Sequence, residues 1–131
     1  MNYALLGWLS VIVFGVVLAP YVLNWFNRNY LKTKNKNFSK VLKFLRKLHK
    51  PFGIALIVLG IVHGFMALGS LRLHTGTLFY LAIVITGFLG GSFYRLKKRE
   101  LFVWHKRAAA LAFVLFLLHY FVPGALYYLF R

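Results

Sequence analysis

The chain has no cysteine and only one acidic residue, Glu100, among 131 residues. Without thiols there is no disulfide, no thiolate metal site, no iron–sulfur cluster and no covalently attached c-type haem. Without a second carboxylate there is no acid/base pair for hydrolysis, no carboxylate metal cage and no carboxylate proton relay. Charge is scarce altogether. Charged residues make up 14% of the chain, against about a quarter in a soluble domain. The 17 Lys and Arg leave a net charge of +16. The chemistry open to such a chain rests on His, aromatic rings, Lys and Arg, and a bound cofactor.

What is abundant is apolar. Hydrophobic residues account for 61% of the sequence and aromatics for 19%, enough for four spans of about 20 residues each. This composition excludes an ordinary soluble domain and predicts an all-α four-helix transmembrane bundle, forming a single domain over residues 1–131.

The first apolar run covers about 3–26, with Trp8 and Trp25 near its ends as interfacial aromatics. It has no charged leader and no small-residue cleavage site, so it is expected to be a span and not a signal peptide. The basic stretch that follows contains FSKVLKFLRKL, Phe38 to Leu48. Its apolar residues at 38, 41, 42, 45 and 48 predict a short amphipathic helix on the membrane surface, with Ser39 as its N-cap. The second span is expected at about 48–69 with Pro51 in its first turn, where proline is tolerated. The third is expected at about 77–94. The fourth is expected from about 101 to 124, bending near Pro123–Gly124 on the way to Arg131.

The segments between spans one and two and between three and four, with the adjoining span ends, hold 15 of the 17 basic residues. Only Arg72 and Arg131 fall on the other side. The positive-inside rule then puts both basic loops in the cytoplasm and both termini outside. Anionic membrane lipid is the natural partner for this charge. A nucleic-acid partner is not expected, because the cations hug the membrane and form no separate domain.

The histidines carry the chemistry. Four of the five form two pairs of equal spacing, His49/His63 and His105/His119. Fourteen residues is about four helical turns, so both members of a pair face nearly the same way, ~21 Å apart. Spans two and four are separated by one span and must run parallel. His49 and His105 therefore share one depth, and His63 and His119 another. The surrounding words repeat as well, HK-x12-H at His49–Lys50 and again at His105–Lys106.

Axial ligation of two b-type haems needs this pattern, one His from each of two facing helices at each of two heights. A flat macrocycle also needs small neighbours. The ligand faces read His49, Gly53, Leu56, Gly60, His63 and His105, Ala109, Ala112, Phe116, His119. Gly53, Gly60, Ala109 and Ala112 suit either a haem or close helix–helix contact. His63 and His119 lie deep, where ionisable residues mark function by default. His74, in the outer loop, is read as a solvated loop residue in preference to a quinone or metal residue. Arg46, Lys47, Lys50, Lys106 and Arg107 at the inner edge, and Arg72 at the outer, are the cations available to haem propionates.

This fourfold His pattern resembles the di-haem membrane cytochrome b group. It is similar both to the ferric reductase-like transmembrane domain and to the respiratory cytochrome b core. The word LHKPFG, Leu48 to Gly53, is also similar to the ligand motif of small bacterial cytochrome b561 proteins. The resemblance covers about 45–121. It implies His49 with His105 on an inner haem and His63 with His119 on an outer one. It further implies an integral protein of a bacterial or archaeal plasma membrane. The expected function is electron transfer from a cytoplasmic-side or quinol donor to an acceptor at the outer face. An oxidoreductase of quinol or ferric reductase type would need a separate redox partner, because the chain has no Gly-rich nucleotide loop. That partner would be a flavoprotein, a dehydrogenase or a quinone. Two other readings stay open: a haem-bearing anchor subunit of a larger dehydrogenase, and a haem-free, His-lined transporter.

Overall fold

The computed structural model describes residues 2–70 and 72–131. Leu71, in the loop expected between spans two and three, lies outside the described residues. The fold is all-α, with no strand among the described residues. Its elements are α1 (Tyr3–Phe26), a π-helical turn (Asn27–Leu31), α2 (Lys36–Leu68), α3 (Thr75–Leu96), α4 (Arg99–Phe121) and α5 (Ala125–Leu129). α1 with its π-helical turn, α2, α3 and α4 are each long and apolar enough to cross a membrane. The chain is therefore a multi-pass integral membrane protein, and its outward apolar side chains face lipid. Ile54, Phe65 and Phe88, 66%, 64% and 74% exposed, would be untenable in such numbers on a protein surrounded by water.

The chain forms two compact units, Met1–Leu59 and Gly60–Arg131. In the first, α1 opens on Asn2, whose side chain accepts from the Ala4 N–H at 3.2 Å. Pro20 sits inside α1 and is buried. Lacking an N–H, it leaves the Val16 carbonyl without its helical donor and loosens that turn. After the π-helical turn, Lys32 adopts left-handed φ 47°. Asn27 ties the reversal by bonding both backbone groups of Thr33, at 2.9 and 3.2 Å.

The amphipathic segment is helical, but it is neither separate nor capped by Ser39. It is the first part of α2, which runs unbroken for 33 residues through Pro51. The cap is Asn35, whose Oδ1 accepts from the Asn37 N–H at 2.9 Å. A short polar side chain just before the first turn satisfies a donor that no carbonyl can reach, and Ser39 lies a full turn inside. At 1.5 Å per residue α2 is ~50 Å long, well beyond a ~30 Å hydrocarbon layer. Its basic first turns therefore stand outside that layer. There Lys36, Lys40, Lys43, Lys47 and Lys50, spaced four and three apart, form an exposed stripe along one face. Leu42 is 7% exposed on the opposite face.

In the second unit α3 and α4 pack against each other as an antiparallel hairpin. Lys97, at φ 56°, turns the chain between them, its N–H bonded to the Phe93 carbonyl at 2.8 Å. Thr75, Ala82 and Ile83 of α3 and Ala112 of α4 are its buried residues. α4 stops at Phe121 and does not bend on to the C-terminus. Val122 takes an extended φ of −136° ahead of Pro123, as the proline ring demands of its predecessor. A turn at Pro123–Gly124 then leads into the separate α5.

Candidate functional site: imidazoles anchored on neighbouring helices

His49 lies on α2 within the first unit and is half-buried. Its Nδ1 is 3.0 Å from the Val17 carbonyl of α1, in the turn that Pro20 loosens. The Tyr21 ring stands edge-on to the imidazole at 5.1 Å. A carbonyl can only accept, so Nδ1 carries the proton and donates it. The lone pair is left on Nε2.

The second unit repeats the arrangement twice. His105 of α4 donates from Nδ1 to the Thr86 carbonyl of α3 at 2.8 Å. His119, near the other end of α4, has Nδ1 at 3.2 Å from Thr75 Oγ1. The Thr75 hydroxyl gives its only proton to the Pro123 carbonyl at 2.7 Å, so toward His119 its oxygen must accept. Nδ1 is again protonated and Nε2 again holds the lone pair. Three of the four paired histidines thus share the tautomer that a metal-ligating Nε2 requires, each oriented by a neutral acceptor.

Glycines of α3 make room for both rings. A Cβ on Gly90 would lie 3.0 Å from Cε1 and from Nδ1 of His105. One on Gly76 would lie 2.8 Å from Cε1 of His119. Gly76 and Gly90 are 14 residues apart, like His105 and His119, so antiparallel α3 offers two sockets in register with two imidazoles. By composition alone α3 reads only as a hydrophobic span. The legible signal was this second 14-residue interval, between small residues instead of ligands.

His119 is also flanked by the Phe79 ring, inclined by 24° at 6.4 Å, and by the edge of His74 at 5.9 Å. His63 and His74 both lie near enough to act on His119 electrostatically. His74 is not a loop residue in solvent. It is half-buried and N-caps α3, its Nδ1 accepting from the Gly76 N–H at 3.3 Å. In its neutral form the proton is therefore on Nε2, the opposite tautomer to the other three.

Of the expected small neighbours, Ala112 is 1% exposed and Ala109 half-buried. The histidine face of α4 is thus its inward face. A Cβ on Gly60 would meet the Tyr80 ring at 2.8 Å, so that glycine admits an aromatic ring of α3. A Cβ on Gly53 would meet nothing within 4 Å. The expected cations are exposed. Arg46 and Lys50 lie on the basic part of α2. Lys106 lies over the Phe102 ring at 4.9 Å and Arg107 over Trp104 at 5.1 Å. Arg72 donates from Nε to the Ser70 hydroxyl at 3.0 Å. No group of three or more His, Cys, Asp or Glu that could hold a bare metal ion occurs among the described residues. No family model, curated protein or solved structure matches this chain.

Proposed function

We propose that this chain is a small di-haem cytochrome b that carries electrons across a bacterial or archaeal plasma membrane. His49 and His105 hold the inner haem, and His63 and His119 the outer. The donor is a cytoplasmic-side flavoprotein or dehydrogenase, or a membrane quinol, and the acceptor lies at the outer face. The observation that carries the reading is the shared tautomer of His49, His105 and His119, each anchored through Nδ1–H to a neutral acceptor on a neighbouring helix. When bound, a bis-imidazole haem supplies a one-electron couple at an iron with no open coordination position.

The chain's own part is orientation and exclusion of water. Val17 and Thr86 fix two rings through backbone carbonyls, and Thr75 fixes a third through its hydroxyl. Gly76 and Gly90 let two of these rings approach α3. Apolar walls such as Phe79 and Phe116, 5.6 Å apart, keep the outer imidazole dry. Arg46, Lys50, Lys106 and Arg107 at the inner edge, and Arg72 at the outer, serve the propionates.

The test is an absorption spectrum of detergent-purified protein, oxidised and dithionite-reduced, with haem extracted and counted per chain. Two b haems with sharp low-spin bands insensitive to carbon monoxide are expected. His63→Ala should remove the outer haem and keep the inner one. A colourless protein, or a His63→Ala variant with unchanged haem content, overturns the assignment.

A further inference from the structure

The basic end of α1 carries a polar and aromatic cleft that the histidines do not account for. Tyr21, Asn24, Trp25, Arg28 and Asn29 line a space of about 420 Å³, within the roughly 300–1,000 Å³ of small-ligand sites. They recur at the three- and four-residue intervals that share a helical face, and all belong to the unit Met1–Leu59. Val22, Leu23 and Phe26, elsewhere on the same turns, are exposed and apolar. Arg28 and Asn29 sit in the π-helical turn, and Asn29 Nδ2 donates to the Trp25 carbonyl at 2.8 Å. Widened turns of this kind are frequent at functional sites.

We infer that this cleft holds one anionic phospholipid by its headgroup, a phosphodiester of a hydroxylated alcohol such as glycerol. Depth comes first. α1 is 24 residues long, ~36 Å at 1.5 Å per residue, and already exceeds a ~30 Å hydrocarbon layer. Its last turn and the π-helical turn therefore stand among headgroups, with Trp25, 59% exposed, as an interfacial aromatic. Charge comes next. The unit carries Lys and Arg but no carboxylate side chain. An ammonium headgroup would meet Arg28 with no counter-ion, whereas a phosphate meets a partner. Hydrogen bonding completes the match. The Arg28 guanidinium, the Tyr21 hydroxyl and the Trp25 indole are donors for phosphate oxygens. The Asn24 carboxamide both donates and accepts, as the hydroxyls of a glycerol do. The lysine stripe of α2 attracts anionic lipid by charge alone; this cleft adds neutral groups that tell one headgroup from another. Tyr21 also stands edge-on to His49 at 5.1 Å. An occupied cleft thus fixes the aromatic wall of His49, whether or not that histidine binds iron.

The experiment titrates delipidated, full-length protein in detergent with phosphatidylglycerol, phosphatidylcholine or inorganic phosphate. Native mass spectrometry counts lipid bound per chain. One phosphatidylglycerol per chain should be held at least tenfold more tightly than phosphatidylcholine, and millimolar phosphate should not displace it. Tyr21→Phe and Asn24→Ala leave the net charge at +16. Each removes a hydrogen bond to the headgroup and should weaken retention about tenfold. In protein labelled with 15N-histidine, ring-nitrogen NMR should show the His49 signal moving with phosphatidylglycerol and not with phosphatidylcholine. Equal retention of the two lipids, displacement by phosphate or an unmoved His49 signal overturns the inference. So do neutral variants that bind like the wild type, because charge alone then holds the lipid. If Asn24→Ala does not fold, Tyr21→Phe, which keeps the ring beside His49, decides it.

Discussion

Two adjacent glycines on α3 provide the sharpest check that this helix is a socket for imidazoles and not simply a membrane span. Gly90 and Gly91 share the same helical environment, and replacing either with Ala gains intrinsic helix propensity of about 1 kcal/mol. At Gly91 nothing lies within 4 Å of the new Cβ, so that gain should be realised in full. At Gly90 the Cβ would sit 3.0 Å from both Cε1 and Nδ1 of His105, where ordinary contact begins near 3.5 Å. The ring cannot retreat freely, because Nδ1 is held to the Thr86 carbonyl at 2.8 Å. Overpacking of this kind costs about 1–3 kcal/mol, enough to cancel or reverse the gain. Gly90→Ala should therefore fall about 1–3 kcal/mol below Gly91→Ala. Thermal unfolding in detergent, followed by circular dichroism, reads the difference. In the same samples the 15N ring signature of His105 should change only in Gly90→Ala. If the two variants gain stability equally and the His105 signature is the same in both, the ring does not lie against α3 and the socket argument fails.

Two further outcomes follow from the same geometry. Gly76→Ala, whose Cβ would come 2.8 Å from Cε1 of His119, should be more damaging than Gly90→Ala. On the proposed function its loss should fall on the outer haem alone, measured as haem per chain and by the reduced-minus-oxidised spectrum. Replacing Lys36, Lys40 and Lys43 together with Gln should weaken retention of anionic lipid by about 1 kcal/mol per lysine. Lipid analysis of the purified protein reads this, and haem content should stay unchanged because the stripe lies on the face of α2 away from its buried residues.

The spans were legible because nothing competes with their signal. Long apolar runs with charge confined between them leave few alternatives, and α1 begins and ends where the hydropathy does. The boundaries that moved did so for local reasons that composition does not express. Asn35 caps α2 before Ser39 can, and a continuous helix through Pro51 needs only one missing hydrogen bond to be tolerated. At the other end, the constraint Pro123 places on Val122 stops α4 where apolar content alone would have carried it on. The histidine pairs were legible as a repeat. Their second partners were not, because two of them, the carbonyls of Val17 and Thr86, belong to every residue type and leave no mark in a sequence. Thr75 does leave a mark, but a threonine at the start of a span reads first as a helix-end residue. His74 was misplaced for the related reason that a capping histidine and a loop histidine look the same until the backbone turns.

The choice of orienting groups follows from the membrane itself. A carboxylate would be the strongest acceptor for an imidazole N–H, and the only one in this chain, Glu100, lies in the first turn of α4 at its basic end. Placing an ionised carboxylate at the depth of His63 or His119 would add the cost of a buried charge to that of a buried histidine. A helix carbonyl carries no such penalty. It already accepts one N–H from its own helix and has a second lone pair to offer, so two imidazoles can be oriented without adding any polar group to the spans. Where α4 ends and no α3 carbonyl is bonded to the ring, the chain supplies a hydroxyl instead and satisfies its proton on the carbonyl of Pro123. The scarcity of acidic residues and the way the imidazoles are held are thus two sides of one constraint. The groups that orient His49, His105 and His119 are all neutral, and the charge of the chain is carried at the membrane edges.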